Sequence, residues 1–221
     1  MSQYGIDWMR ESLRIHGDGT FKESAKWFYQ FYIIMGEKNG NLLPCVYALL
    51  SGKSKKVYSE LFKELKRIVL GDLDPLIASN HLNPKICLTD FESGVIQTVI
   101  EEFTGIQVKG CFFHLKQAIH RWVANHSYKI LYFNNNNFRI WVNKLGSLAL
   151  IPLDRLDEGW NHIKTQKIEH VNLNPIIKYF EDTWLKGIDQ YKPEIWNHFE
   201  FIGPRSNGDM EGMNRQISML L

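Results

Sequence analysis

Before residue 51 the chain carries three short runs rich in aromatic and β-branched residues: SLRIHGD at 12–18, FYQFYIIM at 28–35 and NLLPCVYALL at 41–50. Side chains of these kinds pack well on a pleated, half-buried surface, so the runs predict strands. The pair Asp18-Gly19 marks a turn after the first, and a loop from Gly36 to Gly40 precedes the third. Together they predict an antiparallel meander, which any fold for this chain must contain.

The period then changes. Val57, Leu61, Leu65, Ile68 and Val69 recur at helical spacing between Ser54 and Gly71, with Lys and Glu on the opposite face. Pro84 precedes KICLTD, a brief strand ending at Asp90, and Val95, Ile96, Val99, Ile100 and Phe103 define a second helix before the strand IQVKGCF. The order β, β, β, α, β, α, β mixes a meander with parallel crossovers, which predicts an α/β protein with a mixed five-stranded sheet and flanking helices.

From His114 the pattern is helical: LKQAIHRWVANH, FRIWVNKLGSLAL, LDRLDEGWNHIKTQ and IIKYFEDTWLKGI follow one another, with NNNN at 134–137 as a loop. Pro193, Gly203 and Pro204 mark a further loop before SNGDMEGMNRQISMLL, whose Met210, Met213, Ile217 and Leu220 form one apolar stripe. The predicted divisions are a core over 1–113, an all-α block over 114–203 and a closing helix over 204–221. The first strand starts barely a dozen residues from Met1 and Glu211 lies ten residues from Leu221, so the chain reads as a fragment of a longer protein or one cut down.

Composition narrows the classes. With 221 residues, 44% of them hydrophobic, there is apolar surface for one large or two small domains. No apolar stretch approaches the roughly 20 residues that span a bilayer, and MSQYGIDWMRES lacks the order of a signal peptide, so the expectation is a soluble, intracellular chain. Cys45, Cys87 and Cys111 are odd in number and widely spaced, which predicts buried thiols rather than a disulfide framework. A net charge of +2 is too small to identify nucleic acid by itself. The basic clusters Lys53/Lys55/Lys56, Lys63/Lys66/Arg67 and Lys109/Lys116/His120/Arg121 read individually as solvated helix faces.

Three acids bear on function: Asp18, Asp90 and Glu211. Each alone has a plain explanation. Asp18 suits the tight turn with Gly19, Asp90 an N-cap, and Glu211 the positive end of a helix dipole. Glu92 and Asp209 are competing acids that capping and dipole roles also explain. Cys111 and His114 invite a zinc reading, but a closed zinc site needs four ligands and there is no second Cys pair. A buried thiol ending a strand and a histidine opening a helix is the simpler account.

An acid ending the first strand, another ending the strand after the first helix and a third opening a late helix together resemble the ribonuclease-H-like fold of DDE transposases. The segments DGTFKESAKWFYQFYIIMG, LLPCVYALLSGKSKKVYSELFKEL, TDFESGVIQTVIEEF, KGCFFHLKQAIHRWV and RSNGDMEGMN are similar to the Mutator-like element (MULE) transposase domain over nearly the whole chain. The resemblance implies that Asp18, Asp90 and Glu211 are the catalytic, metal-binding residues. It gives Cys111, His114, Asn207 and Asn214 a secondary role in organising the site. It also implies an all-α insertion before the last catalytic helix, which would hold DNA or mediate dimerisation.

Converging carboxylates are hard oxygen ligands that suit Mg²⁺ or Mn²⁺ rather than zinc. Two such ions about 4 Å apart can serve in-line attack on a phosphodiester. The implied activity is metal-dependent DNA strand cleavage and strand transfer, with transposon ends and target DNA as partners, a homodimer as a candidate assembly, no membrane or small-molecule substrate, and the nucleus as location. The alternatives are a degenerate or host-adopted remnant that binds DNA or protein without catalysis, and a nuclease of similar fold acting on RNA. Trp122, Trp141, Trp160 and Trp184 could stack on bases, but aromatic residues at helical spacing more often form core.

Overall fold

The computed structural model describes residues 1–20, 27–71, 82–187 and 191–206. They divide into two compact units that meet in the chain between Lys109 and Gly110. Five strands form one sheet: β1 (Arg14–Thr20), β2 (Gln30–Lys38), β3 (Asn41–Leu50), β4 (Ile86–Thr89) and β5 (Gln107–Gly110), in the order β3-β2-β1-β4-β5. β1 runs antiparallel to β2 and parallel to β4, and β2 runs antiparallel to β3. The sheet is therefore mixed, as the sequence predicts, and compatible with the ribonuclease-H-like fold.

The meander differs from expectation at both of its turns. β1 does not stop at Asp18: it continues to Thr20, with Asp18 opposite Ile33 and Gly19 opposite Tyr32. Gly17 and Gly19 are strand residues because a Cβ at either would collide with Tyr32 or Gln30 of β2. The expected loop from Gly36 to Gly40 shrinks to Asn39-Gly40, both at positive φ (52° and 76°), as a two-residue hairpin requires. Gly36 lies inside β2, where a side chain would strike Ser12 and Trp8.

Trp8 belongs to α1 (Gln3–Arg10), a helix that the sequence pattern did not reveal. Ser2 caps it by accepting from the Gly5 N–H at 3.1 Å, and Trp8 Nε1 donates to the Gly36 carbonyl at 2.9 Å. Pro44 is tolerated in β3 because β3 is an edge strand and its register shifts beside that residue.

α2 (Lys55–Leu70) begins with the Ser54 cap and buries Tyr58, Phe62, Leu65 and Val69, so its inner stripe is rotated slightly from the predicted one. α3 (Ser93–Glu102) packs on it, with Phe62 edge-on to Phe103 at 5.8 Å. Ile100, one of the apolar residues by which the sequence marks this helix, is 52% exposed. Lys55–Glu101 and Lys66–Glu102 ion pairs bridge the two helices.

Past Gly110, which ends β5, the described residues of the second unit contain helices and no strand: α4 (Phe112–Asn125), α5 (Lys129–Asn134), α6 (Asn136–Ser147), α7 (Leu156–Lys164), α8 (Asn174–Phe180) and the short α9 (Pro193–Trp196). α4 starts at Phe112, within the predicted strand IQVKGCF, so that strand is shorter than expected. The NNNN tract is not a loop. Only Asn135 lies between helices, and its side chain caps α6 by accepting from the Phe138 N–H at 3.0 Å. Trp141, Trp160, Trp184 and Trp196 are buried. The indoles of Trp141, Trp160 and Trp196 donate to Ile163 O, Glu181 Oε1 and Trp184 O respectively, so each large ring is packed without stranding its polar atom.

Replacing Gly40 by Ala forces a Cβ into the left-handed region and should cost about 1 kcal/mol, lowering the thermal midpoint by about 2–4 °C. Gly52→Ala, where the nearest side-chain atom is 4.0 Å away, should leave the midpoint unchanged in the same calorimetric scan.

Candidate carboxylate site on the first and fourth strands

β1 carries its functional groups on alternate residues. Arg14, His16 and Asp18 share one face, and Gly17 and Gly19 lie on the other. His16 is 1% exposed and Asp18 5% exposed. Glu37, opposite Arg14 on β2, meets His16 Nε2 at 3.2 Å and Arg14 Nη1 at 3.5 Å. On the glycine face, Tyr32 and Gln30 occupy the space that the missing Cβ atoms leave.

The parallel ladder fixes the second acid. Arg14 pairs with Ile86, and the register continues to Gly17 with Thr89. The next residue on each chain is an aspartate, Asp18 on one side and Asp90 on the other. Neighbouring strands lie about 4.8 Å apart, so the two backbone positions are adjacent. Asp90 is not the N-cap of α3; that position is Glu92.

Glu92 makes no capping bond. Its Oε2 instead accepts from the Tyr58 hydroxyl at 2.5 Å, while the Tyr58 oxygen accepts from Gln30 Nε2 at 2.9 Å. Gln30 Nε2 also donates to the Gly52 carbonyl at 3.2 Å, and Tyr32 stands edge-on to Tyr58 at 5.4 Å. Burial pushes the Tyr58 phenol well above its ordinary range, and the hydrogen bond to Glu92 adds to the effect. Burial raises Tyr32 likewise, with Tyr58 contributing. The Cys87 thiol, opposite Ile15, is pushed up to about 12 by burial.

Cys111 is fully buried and occupies the position before α4, and His114 is the third residue of that helix. Both belong to the second unit. Asn207, Asp209, Glu211 and Asn214 lie outside the described residues. The structure thus sets Asp18 and Asp90 at adjacent backbone positions, one step past the last paired residues of β1 and β4. Sequence reasoning missed the groups around them: His16 with Glu37, and Tyr58 with Gln30 and Glu92. His16 and Asp18 at alternate positions of one strand were the available signal for the first; nothing local connects residues as distant in the chain as Gln30, Tyr58 and Glu92.

Residues 14–118 match the family model of the MULE transposase domain. This segment is a MULE transposase domain. It runs from the first residue of β1 into α4 and contains Asp18, Asp90, Cys111 and His114. No curated protein matches the chain. A MULE domain carries a transposase-related function, which in general means nuclease-type chemistry on DNA with divalent metal ions. Among the described residues no helix is long and apolar enough to cross a membrane.

The donor chemistry fits such an ion. Two carboxylates, one on β1 and one at the residue that follows β4, are hard oxygen donors of the kind Mg²⁺ and Mn²⁺ take. The buried Asp18 gains more from a neighbouring cation than an exposed acid would.

Because Tyr32 and Tyr58 titrate above their unfolded value, near 10, they stabilise the fold fully below that pH, and the contribution is lost as pH rises toward the folded values. Tyr58→Phe should cost about 1–3 kcal/mol near neutrality, since Glu92 and Gln30 lose a buried partner. Urea unfolding at pH 9 and pH 11 should show a smaller alkaline loss in the variant than in the parent.

Proposed function

We propose that the chain is a DDE-type transposase domain that cleaves DNA strands and transfers them, with Asp18, Asp90 and Glu211 as its catalytic, metal-binding residues. What supports the reading most is the β1–β4 register, one step beyond which Asp18 and Asp90 become neighbours, inside a segment that matches the MULE domain. Asp18 is presented by a central strand hydrogen-bonded on both sides. Asp90 follows the last paired residue of β4, and Glu211 would come from the closing segment of the chain.

In this reading the three carboxylates hold one or two Mg²⁺ or Mn²⁺ ions. When bound, such ions supply activation of a water or 3′-hydroxyl and stabilisation of the leaving oxygen. The strands' contribution is positional: they keep the acids in place without reorganisation when the phosphodiester arrives. His16 is tied to Glu37, which fixes the groups flanking Asp18 on its own face. Cys111, His114, Asn207 and Asn214 organise the site or the DNA.

The same reading divides the chain into a core at 1–113, an all-α insertion at 114–203 and a catalytic helix at 204–221. Its partners are transposon ends and target DNA, with a homodimer as the assembly and the nucleus as its location.

Labelled duplex DNA incubated with the chain and Mg²⁺ or Mn²⁺ should be nicked, and nicking should fall to background in Asp18→Asn and in Asp90→Asn. Undiminished cleavage by Asp90→Asn would overturn the assignment. Salt-sensitive DNA binding without nicking by the parent chain would favour a non-catalytic remnant instead.

A further inference from the structure

The second unit has a cleft of about 390 Å³ between one face of α6 and residues 166–169, which follow α7. That volume suits a small ligand. α6 contributes Asn137, Ile140, Trp141 and Lys144, spaced so that one helical face lines the cleft. The opposite wall contributes Gln166, Lys167, Ile168 and Glu169.

The polar groups are mostly donors. Lys144 Nζ donates to Gln166 Oε1 at 2.9 Å, which joins the two walls. An ammonium has three donors, so Lys144 keeps two for a ligand. That bond also turns the Gln166 amide so that its Nε2 donors are available. Lys167 adds a second cation and Asn137 a second amide. Ile140, 46% exposed, and the half-buried Ile168 supply apolar flanks. Glu169, the one acid in the lining, stands 3.3 Å from His170.

We propose that this cleft binds a nucleotide through its phosphate and base. The two lysines take the phosphate, the isoleucine side chains cover the base, and the Asn137 and Gln166 amides meet its polar edge. A bare phosphate would leave the apolar flanks unused, and an uncharged apolar ligand would leave two ammonium groups facing it. The choice of a nucleotide among phosphate-bearing ligands rests on the DNA-directed reading above. The geometry of the cleft does not involve Asp18 or Asp90.

The test uses the full chain without divalent cation, titrated by NMR with thymidine 5′-monophosphate, thymidine, inorganic phosphate and a short oligothymidylate. The monophosphate should shift amide resonances of residues 137–144 and 166–169 saturably. Thymidine and phosphate alone should each bind about tenfold more weakly, as loss of either half of the recognition implies. Lys144→Gln and Lys167→Gln should each weaken the monophosphate several-fold, and the double variant should abolish the shifts while keeping the parent's circular dichroism.

Tighter binding of the oligonucleotide identifies a DNA strand as the source, and tighter binding of the monophosphate identifies a free nucleotide; either supports the site. Equal affinity for inorganic phosphate, or unchanged binding in the double variant, overturns it. Asp18→Asn should bind the monophosphate normally, so a chain that fails to cleave DNA can still pass this test, and one that cleaves can fail it.

Discussion

The parallel pairing of β1 with β4 is the constraint on which the rest of the first unit depends. A meander alone could form from β1, β2 and β3, but it would carry one buried aspartate and no second acid. Parallel pairing requires a long crossover, and here it spans everything from Thr20 to Ile86, including two strands and α2. The crossover's length leaves the register to side-chain packing. Ile15 opposite Cys87 and His16 opposite Leu88 set that register, all four at 2% exposure or less. A slip by one residue would turn every β4 side chain to the other face and separate the aspartates.

The glycines beside Asp18 serve the same constraint from the other face. Tyr32 lies across Gly17 and Gly19, and its ring meets Tyr58 of α2. Tyr58 reaches Glu92 at the start of α3, so one chain of contacts joins β1, β2, α2 and α3. Asp90 sits between two anchored points: Thr89 is in the ladder with Gly17, and Glu92 is held by Tyr58. A carboxylate on so short a tether has little backbone freedom left to lose, which is what preorganisation means for a side chain.

The strand and helix periods made the sheet's membership legible, since each run obeys a local rule. Turn chemistry was legible only in part. Asp-Gly at 18–19 and Gly at 36 carry the composition of turns, yet both are strand positions, because a glycine demanded by a neighbouring ring looks the same in sequence as one demanded by positive φ. Asn39-Gly40 is the true turn. α1 escaped notice because its stability comes from Trp8 docking on β2 and Met9 burying fully, both tertiary effects on a helix of eight residues. Of the site, the two aspartates were legible as acids in strand context. Their adjacency followed only from the family resemblance, in which the first and fourth strands lie side by side, because register between strands about 70 residues apart is written in packing rather than in any local motif.

Charge shows the same separation of local from tertiary information. In sequence, the lysine-rich face of α2 looks as suited to DNA as any other basic segment. In the structure Lys55 and Lys66 meet Glu101 and Glu102 of α3, and Arg67 meets Glu64. Those cations are committed to holding two helices together or to their own helix face, and they present a largely neutral surface. Lys144 differs from these, because its ammonium is bonded to the neutral amide of Gln166. An amide orients an ammonium without cancelling its charge, whereas a carboxylate partner does both. Where cations are most numerous in a sequence is thus a poor guide to where their charge is left uncompensated, because the pairing of α2 with α3 is a tertiary contact.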